Sequence, residues 1–229
     1  MIIAVVPMKP LALAKRRLAG TLPEGERRAL VRAMFCEVLT ALRASAHVER
    51  TYVTTSDLEL TALAAHHGAC HIPEQAPAGL NRAVATAAGY LEDIGAGAML
   101  VIPGDVPLVT AAEIGELASL SRTGGRTGGM AIVPAHDRDG TNSLLLSPPG
   151  ALAASFGPGS FKRHVEAGRK ARLAPVVCLF EGLGRDIDTA EDLEILMRSK
   201  GGSPEYGFLR QATARDFAGA GRPMQRRRA

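Results

Sequence analysis

The chain has 229 residues, a length that fits one domain with at most a short extra segment. Hydrophobic residues make up 46% and charged residues 22%, which argues against a disordered chain, and no apolar run reaches the ~20 residues of a membrane-spanning helix. Aromatic residues reach only 4% and Trp is absent, which disfavours recognition of single-stranded nucleic acid by stacking. The net charge of +4 comes from the Arg-rich residues 201–229, so the balanced remainder gives no electrostatic reason to expect a nucleic-acid partner.

Short β-type runs alternate with amphipathic stretches along the chain. The predicted strands are Ile2–Val6, Thr51–Thr55, Met99–Ile102, Met130–Val133, Ser143–Leu146 and Val176–Phe180. The first, third and last of these runs are almost continuously apolar, which is typical of central strands covered on both faces. Helices are predicted from near Glu24 and at Asp57–His67, Leu80–Asp93, Ala111–Ser121, Ser160–Lys170 and Ala190–Lys200. The residues suited to cap helix N-termini are Ser56 or Asp57, Thr110 and Thr189.

This alternation predicts a mostly parallel α/β sheet, with an antiparallel excursion at one edge around residues 123–146. We expect one domain over residues 1–200 and a basic, poorly ordered tail over 201–229, with a short helix near Phe208–Phe217. The chain opens directly on a strand-like run, which favours a first strand over a signal peptide. Three widely spaced cysteines with no CxxC pair favour a reducing cytoplasm over a disulfide framework or a zinc site.

Ligands of open α/β sheets bind beyond the carboxyl ends of the strands, so the segments after each strand are the first candidates for a site. Residues 7–18 follow the first strand and carry four cations, Lys9, Lys15, Arg16 and Arg17, with no acidic residue before Glu24. A basic loop between a strand and a helix suits a polyphosphate, although a solvated basic loop is the simpler interpretation of this run alone. Neither GxGxxG nor GxxxxGK[ST] occurs here, which excludes the dinucleotide fingerprint and the P-loop.

Carboxylates follow two further strands. Asp105 comes after the break Pro103-Gly104, where it suits Mg²⁺ or serves as an ordinary turn residue. Asp186 and Asp188 lie two residues apart, so in an extended segment only one of them faces a metal. The alternative for this segment is capping of the helix that follows.

Two smaller loops, Asp139–Asn142 and Phe156–Phe161, offer backbone N–H groups and hydroxyls of the kind that hold small anions. Either loop alone is more often a simple turn. No pair of histidines shows a defensible metal-ligand spacing.

Taken together, these segments resemble one family. The matching runs, in the order of that family, are VPMKPLALAKRRLAG after the first strand, GLN at 79–81, GDVPL at 104–108, GTN at 140–142, FGPGSF at 156–161 and DIDTAEDL at 186–193. They are similar to the CofC/FbiD-type guanylyltransferases of coenzyme F-420 biosynthesis, within the nucleotidyltransferase superfamily that includes the molybdopterin-cofactor enzymes. The resemblance covers residues 1 to about 197. One departure is Lys15-Arg16-Arg17, where the family pattern has a small residue between two basic ones.

The resemblance implies a Rossmann-like three-layer α/β/α fold of the nucleotide-diphospho-sugar transferase type. It also implies transfer of GMP from GTP to phosphoenolpyruvate, 3-phospho-D-glycerate or 2-phospho-L-lactate, with release of pyrophosphate. The acceptor phosphate is largely dianionic at pH 7, so it can attack without a general base, and the protein has to align two anions and neutralise charge. This fits a sequence in which no His or Cys stands out as catalytic.

On this interpretation each segment has a role. Asp105, Asp186 and Asp188 are the expected Mg²⁺ ligands, and Asp105, Lys15 and Arg16 are the expected catalytic residues. The expected nucleotide-binding residues are Lys9, Lys15, Arg17, Gly79 and Asn81, whose amide suits the guanine edge. The expected acceptor-binding residues are Thr141, Asn142, Gly157, Gly159 and Ser160. The oligomeric state is left open by the sequence, although a homodimer is the common outcome for soluble enzymes in general.

Two alternatives remain open on the sequence. One is transfer of a nucleotide to a sugar phosphate or to molybdopterin, or a related glycosyl transfer, although the GGxSxRMG-like loop of those enzymes is absent. The other is a non-catalytic nucleotide-binding or partner-binding domain that uses the Arg-rich tail. Stabilisation by Mg²⁺ and GTP together, beyond that by either alone, would discriminate between catalysis and mere binding.

Overall fold

The computed structural model describes residues 1–74, 79–120 and 128–209. Their strands are β1 (Ile2–Pro7), β2 (Arg50–Thr55), β3 (Cys70–Pro73), β4 (Ala98–Val101), β5 (Gly129–Pro134), β6 (Thr141–Ser147) and β7 (Val176–Val177). Their α-helices are α1 (Glu24–Ala44), α2 (Leu58–His66), α3 (Leu80–Asp93), α4 (Ala111–Ser119), α5 (Ser160–Lys170) and α6 (Ala190–Lys200). Short 3-10 helices occur at Leu11–Leu13, Arg16–Gly20 and Pro204–Tyr206.

The strands form one seven-stranded sheet in the order β3-β2-β1-β4-β6-β5-β7. β6 runs antiparallel to both of its neighbours, and the other pairings are parallel. The predicted mostly parallel sheet with an antiparallel excursion is therefore confirmed. The antiparallel strand lies inside the sheet, however, rather than at the edge where the sequence placed it.

Helices cover both faces of the sheet and give three layers. Alternate residues of β1 contribute to the two cores: Ala4 and Val6 pack on the side of α1, α2, α4 and α6, while Ile3 and Val5 pack on the side of α3 and α5. This alternation explains the continuous apolar run of β1, because both of its faces are covered. Among the helices of the described ranges, none combines the length and apolarity that crossing a bilayer takes.

The last predicted strand differs most from the structure. Only Val176 and Val177 pair with β5, and this short strand forms the edge of the sheet. Val177 is 45% exposed and Leu179 is 64% exposed, so the apolar run there did not mark a central strand. The sequence analysis also missed β3, a four-residue edge strand in which Ile72 alone is buried.

The predicted C-terminal tail begins within the packed body. Tyr206 and Leu209 are fully buried in the core on the α1 side, and Lys200 Nζ donates a hydrogen bond of 2.5 Å to Glu37 Oε2 of α1. The remainder of the predicted tail, including most of the helix expected near Phe208–Phe217, lies outside the described residues.

Candidate active site

The basic loop after β1 is held rigidly against the fold. Leu11 and Leu18 are buried in the core and anchor its two 3-10 turns. The Leu11 N–H donates to Asp57 Oδ2 at 2.9 Å, while Oδ1 of the same carboxylate caps α2. Between the two turns Lys15 adopts the left-handed conformation (φ 51°), which is uncommon for a residue with a side chain. The loop is therefore a built structure rather than a solvated basic run.

Two carboxylates from distant parts of the chain converge on Lys15. Its ammonium nitrogen lies 2.6 Å from Asp105 Oδ2 and 2.7 Å from Asp188 Oδ1. The Lys15 side chain is only 5% exposed, whereas both carboxylates are about one-third exposed to the cleft. Burial lowers the pKa of Lys15, but the charges of Asp105 and Asp188 outweigh burial and raise it overall. Lys15 is thus a fixed ammonium ion at neutral pH.

Main-chain contacts bring the two carboxylate segments together. The N–H of Ile187, a fully buried residue, donates to the Asp105 carbonyl at 3.1 Å. The next residue, Asp188, leads into α6, where Thr189 and Asp192 form a capping box. Thr189 and Asp192 therefore provide the helix cap that the sequence suggested for this segment. The Asp188 side chain does not cap α6 and pairs with Lys15 instead.

Asp186 lies next to this pair and connects it to β6. Burial raises the pKa of Asp186, and the charges of Asp105 and Asp188 raise it further. Asn142 Nδ2 donates to Asp186 Oδ1 at 3.3 Å, which partly offsets the increase. Asp186 is therefore close enough to feel the charges of Asp105 and Asp188, but its side chain bonds to Asn142 rather than to Lys15.

A cleft of ≈ 560 Å³ opens over the basic loop and the carboxylates. Of the predicted site residues, those that line it are Lys9, Lys15, Arg16, Gly79, Asp105 and Asp188. Arg17 reaches the site from outside the lining: its side chain is 80% exposed and its Nη1 lies 3.4 Å from Asp188 Oδ2. The structure thus gathers the expected nucleotide-binding cations and two of the three expected metal ligands at one place.

Asn81 has partners that the sequence did not indicate. Its Nδ2 donates to the Phe156 carbonyl at 3.1 Å, and its Oδ1 accepts the Phe156 N–H at 2.6 Å. These two bonds hold the start of α3 against the loop that precedes α5. Recognition of guanine by Asn81 stays a prediction, and in this structure the amide serves as a connector.

The predicted acceptor-binding residues form a second cluster beside Asp186. Thr141 and Asn142 begin β6, and Ser160 Oγ donates to Thr141 Oγ1 at 3.2 Å. The Gly159 N–H already donates to Asp139 Oδ2 at 2.8 Å and the Ser160 N–H donates to the Gly157 carbonyl. Two of the backbone donors expected for an anion are therefore occupied within the loop, which leaves side-chain hydroxyls as the prominent polar groups.

Sequence reasoning passed over two residues that shape the site. Glu113 completes a capping box on α4 with one oxygen and accepts the Gly182 N–H at 2.8 Å with the other, which holds the segment before Asp186. His164, on α5, is fully buried and contacts Thr141. Its spacing to other histidines gave no signal, because its partners are hydroxyl and backbone groups rather than metal ligands.

The fold and the site together define a nucleotidyltransferase-type α/β protein, with a polyphosphate-sized cleft over a basic loop and strand-end carboxylates. A solved structure assigned as a nucleotide-diphospho-sugar transferase, from Desulfovibrio desulfuricans G20, has the same fold with a TM-score of 0.75 at 19% identity, covering 93% of this chain and 95% of that one. A 4-diphosphocytidyl-2C-methyl-D-erythritol synthase matches with a TM-score of 0.58 at 16% identity, covering 85% and 95% of the two chains.

Sequence comparison then gives the family. The chain belongs to the family described as guanylyl transferase CofC like, whose model matches residues 2–216. The phosphoenolpyruvate guanylyltransferase of Roseiflexus sp. is 41% identical over 94% of this chain and 93% of its own length. The phosphoenolpyruvate guanylyltransferase of Conexibacter woesei is 37% identical over 91% of this chain and 95% of its own length. The resemblance identified from the sequence motifs is confirmed.

Proposed function

We propose that this protein transfers GMP from GTP to phosphoenolpyruvate and releases pyrophosphate, in the step of coenzyme F-420 biosynthesis that its family implies. The observation that carries the proposal is the convergence of Asp105 and Asp188 on the buried Lys15 ammonium, at the floor of a polyphosphate-sized cleft. The two relatives described above are phosphoenolpyruvate guanylyltransferases, which favours phosphoenolpyruvate over the two other three-carbon acids. The reaction takes place in the cytoplasm, where the proposed substrates are found.

The chemistry divides between the two clusters of the site. An oxygen of the acceptor phosphate attacks the α-phosphorus of GTP, a new P–O bond forms, and the bond between the α-phosphorus and the bridging oxygen to the β-phosphorus breaks. The electron pair of the broken bond leaves with pyrophosphate, so no proton transfer from the protein is needed. Lys9, Lys15 and Arg16, which line the cleft, neutralise the triphosphate and the leaving group together with the more exposed Arg17.

A divalent ion fits the carboxylates of this site. Within the described ranges no group of three or more His, Cys, Asp or Glu side chains is arranged to hold a metal by itself. Asp105 and Asp188 nevertheless converge on one cationic atom, and Mg²⁺ prefers one or two carboxylates completed by substrate phosphates and water. We therefore assign Asp105 and Asp188 as the Mg²⁺ ligands, with Asp186 beside them. The bound ion would screen the negative charge between the two substrates.

Pyrophosphate release tests the proposal. GTP, ATP, CTP and UTP are each combined with phosphoenolpyruvate, 3-phosphoglycerate and 2-phospholactate in the presence of Mg²⁺. We expect release with GTP and phosphoenolpyruvate. Folded protein that binds GTP but stays silent with all three acids would refute the proposal in favour of another acceptor or of a binding domain.

Asp105→Asn provides the matched variant for this assay. Loss of the carboxylate should abolish turnover and leave the fold intact, because Asp105 is one-third exposed and its backbone contact to Ile187 does not involve the side chain. Asp93→Asn, at the exposed end of α3, is the control and should retain wild-type turnover. Near-normal turnover by Asp105→Asn would contradict the assignment of this carboxylate.

A further inference from the structure

His164 is a buried polar residue for which the reaction described above has no role. Its side chain is fully buried at the sheet-facing side of α5, and its ring packs edge-on against Phe156 at a centroid distance of 5.0 Å. Both ring nitrogens have partners: Nδ1 lies 3.0 Å from Thr141 Oγ1, and Nε2 lies 3.0 Å from the Ser155 backbone nitrogen. Because each ring nitrogen must either donate or accept, a buried histidine with partners on both nitrogens determines whether each partner accepts or donates.

The partners fix the tautomer of His164. The Ser155 N–H can only donate, so Nε2 must carry a lone pair rather than a proton. Burial, and secondarily the charge of Arg163, lower the pKa of His164 to about 4, so the ring is neutral at physiological pH. A neutral imidazole with a lone pair on Nε2 carries its proton on Nδ1. The Nδ1–H therefore donates to Thr141 Oγ1.

The Thr141 hydroxyl must therefore accept from the ring rather than donate to it. Its oxygen accepts one hydrogen bond from His164 and another, of 3.2 Å, from Ser160 Oγ. A hydroxyl has one hydrogen, and the bond to the ring already uses the Nδ1–H, so the Thr141 O–H cannot donate to His164. The 3.2 Å separation from Ser160 Oγ is long for a bond between hydroxyls, so the O–H stays available to a stronger acceptor. The tetrahedral geometry of the oxygen then directs that O–H away from the ring. Thr141 is partly exposed and adjoins Asn142, which binds Asp186 of the carboxylate cluster.

We infer that His164 is a positioning residue that commits the Thr141 hydroxyl to donate a hydrogen bond to an anionic oxygen of the acceptor, namely its carboxylate. This inference rests on the proposed function, because it deepens the recognition of the phosphorylated acid. The buried neutral ring cannot attract the acid by charge, so it acts through the direction of one donor. A carboxylate oxygen satisfies that donor, whereas a group that offers only hydrogens leaves it unpaired.

Two variants separate positioning from packing, because each retains one half of the ring's hydrogen bonding. His164→Asn can place an amide N–H near the Nδ1 position and so retain the donor to Thr141. His164→Gln reaches the Nε2 position and retains the acceptor for Ser155, but it loses the donor to Thr141. We expect His164→Gln to raise KM for phosphoenolpyruvate about tenfold or more, with KM for GTP unchanged within twofold. His164→Asn should recover most of that loss.

Thr141→Val and a carboxylate-free acceptor complete the experiment. Thr141→Val removes the hydroxyl with little change in shape and should raise KM for phosphoenolpyruvate as much as His164→Gln does, with no further rise in the double variant. With ethyl phosphate as the acceptor, wild-type protein and His164→Gln should react equally slowly. If His164→Gln lowers stability but leaves KM for phosphoenolpyruvate unchanged, the ring only packs and the inference is overturned.

The tautomer can also be read in the wild-type protein, independently of any variant. Long-range ¹H–¹⁵N spectra should show one imidazole that does not titrate between pH 8 and pH 5 and carries its proton on Nδ1. A proton on Nε2 of that ring would overturn the inference even if the variants fail to fold. A wild-type protein that shows this tautomer but releases no pyrophosphate would instead refute the proposed function.

Discussion

Acidification from pH 8 to pH 5 should destabilise the protein through His164. This side chain is fully buried and its Nε2 accepts the Ser155 N–H, so a second ring proton would face another donor. Burial and Arg163 lower its pKa from 6.5 to about 4, whereas the same side chain titrates near its ordinary value in the unfolded chain. Between these two pKa values the unfolded state binds a proton that the folded state does not.

The sign and size of the effect follow from linkage. Because the folded-state pKa is the lower one, the contribution to stability is fully present above pH 6.5 and is lost as the pH falls toward 4. At pH 5 the unfolded histidine is almost fully protonated and the folded one is mostly neutral. These occupancies give a loss of about 2 kcal/mol in the free energy of unfolding between pH 8 and pH 5. That is a large share of the roughly 5–15 kcal/mol that holds a typical domain together.

Urea unfolding at pH 8, 7, 6 and 5 measures this loss. Far-UV circular dichroism is the suitable probe, because the chain has no Trp. The glutamine of His164→Gln cannot titrate. The free energy of unfolding of this variant, taken relative to that of wild type, should therefore rise by about 2 kcal/mol between pH 8 and pH 5. Burial, with the charges of His66 and Arg43, also lowers the pKa of His67, but that contribution is present in both proteins and cancels in the difference.

Parallel stability curves for wild type and His164→Gln between pH 8 and pH 5 would refute this reasoning. They would mean that the His164 ring takes up its proton as easily in the folded protein as in the unfolded chain. Gly202→Ala, at a position where the added Cβ meets open space, is the control and should follow the wild-type curve.

Three further substitutions test the site and its supports. Lys15→Met should slow pyrophosphate release by about 10² or more, because the carboxylates and the triphosphate lose their buried cation, while circular dichroism stays native-like. Gly182→Ala should lower the free energy of unfolding by roughly 2–4 kcal/mol in urea, since the added Cβ would overlap a main-chain carbonyl oxygen, whereas Gly202→Ala has open space and should stay within about 0.5 kcal/mol of wild type. Asn81→Ala should cost about 2 kcal/mol in the same assay through its two lost bonds to Phe156, and a change in GTP-over-ATP preference without that cost would favour base recognition instead.

The helices and their caps were accessible from the sequence because their signals are local. Thr110 and Thr189 cap α4 and α6 as predicted, each within a capping box, and Asp57 rather than Ser56 caps α2. The strands at the two edges were not accessible in the same way. β3 buries only one of its four residues, so it lacks the apolar run that marks a strand in the sequence. The residues at β7 form an apolar run, although only one side of this edge strand packs on the core.

The position of β6 depends on pairings that no local pattern encodes. Its residue types do not reveal whether it lies at the edge or between β4 and β5, and its insertion brings Asn142 next to Asp186. The residue types of the site were likewise predictable, whereas their partners were not. Asn81 could be chosen as an amide that suits a base, but the loop at Phe156 that occupies it lies 75 residues further along the chain.

The charge balance of the carboxylate cluster bears on the proposal that two phosphate substrates and a divalent ion bind here together. Lys15 supplies one buried positive charge to Asp105 and Asp188, and Arg17 adds a solvent-exposed contact that water largely screens. Burial raises the pKa of Asp186, and the charges of Asp105 and Asp188 raise it further, so the cluster places three acids around one buried ammonium, a formal deficit of positive charge. Two phosphate substrates would deepen that deficit, and a divalent ion is the compact group that relieves it. If the proposed function holds, the ion and the phosphates should therefore bind more tightly together than either binds alone.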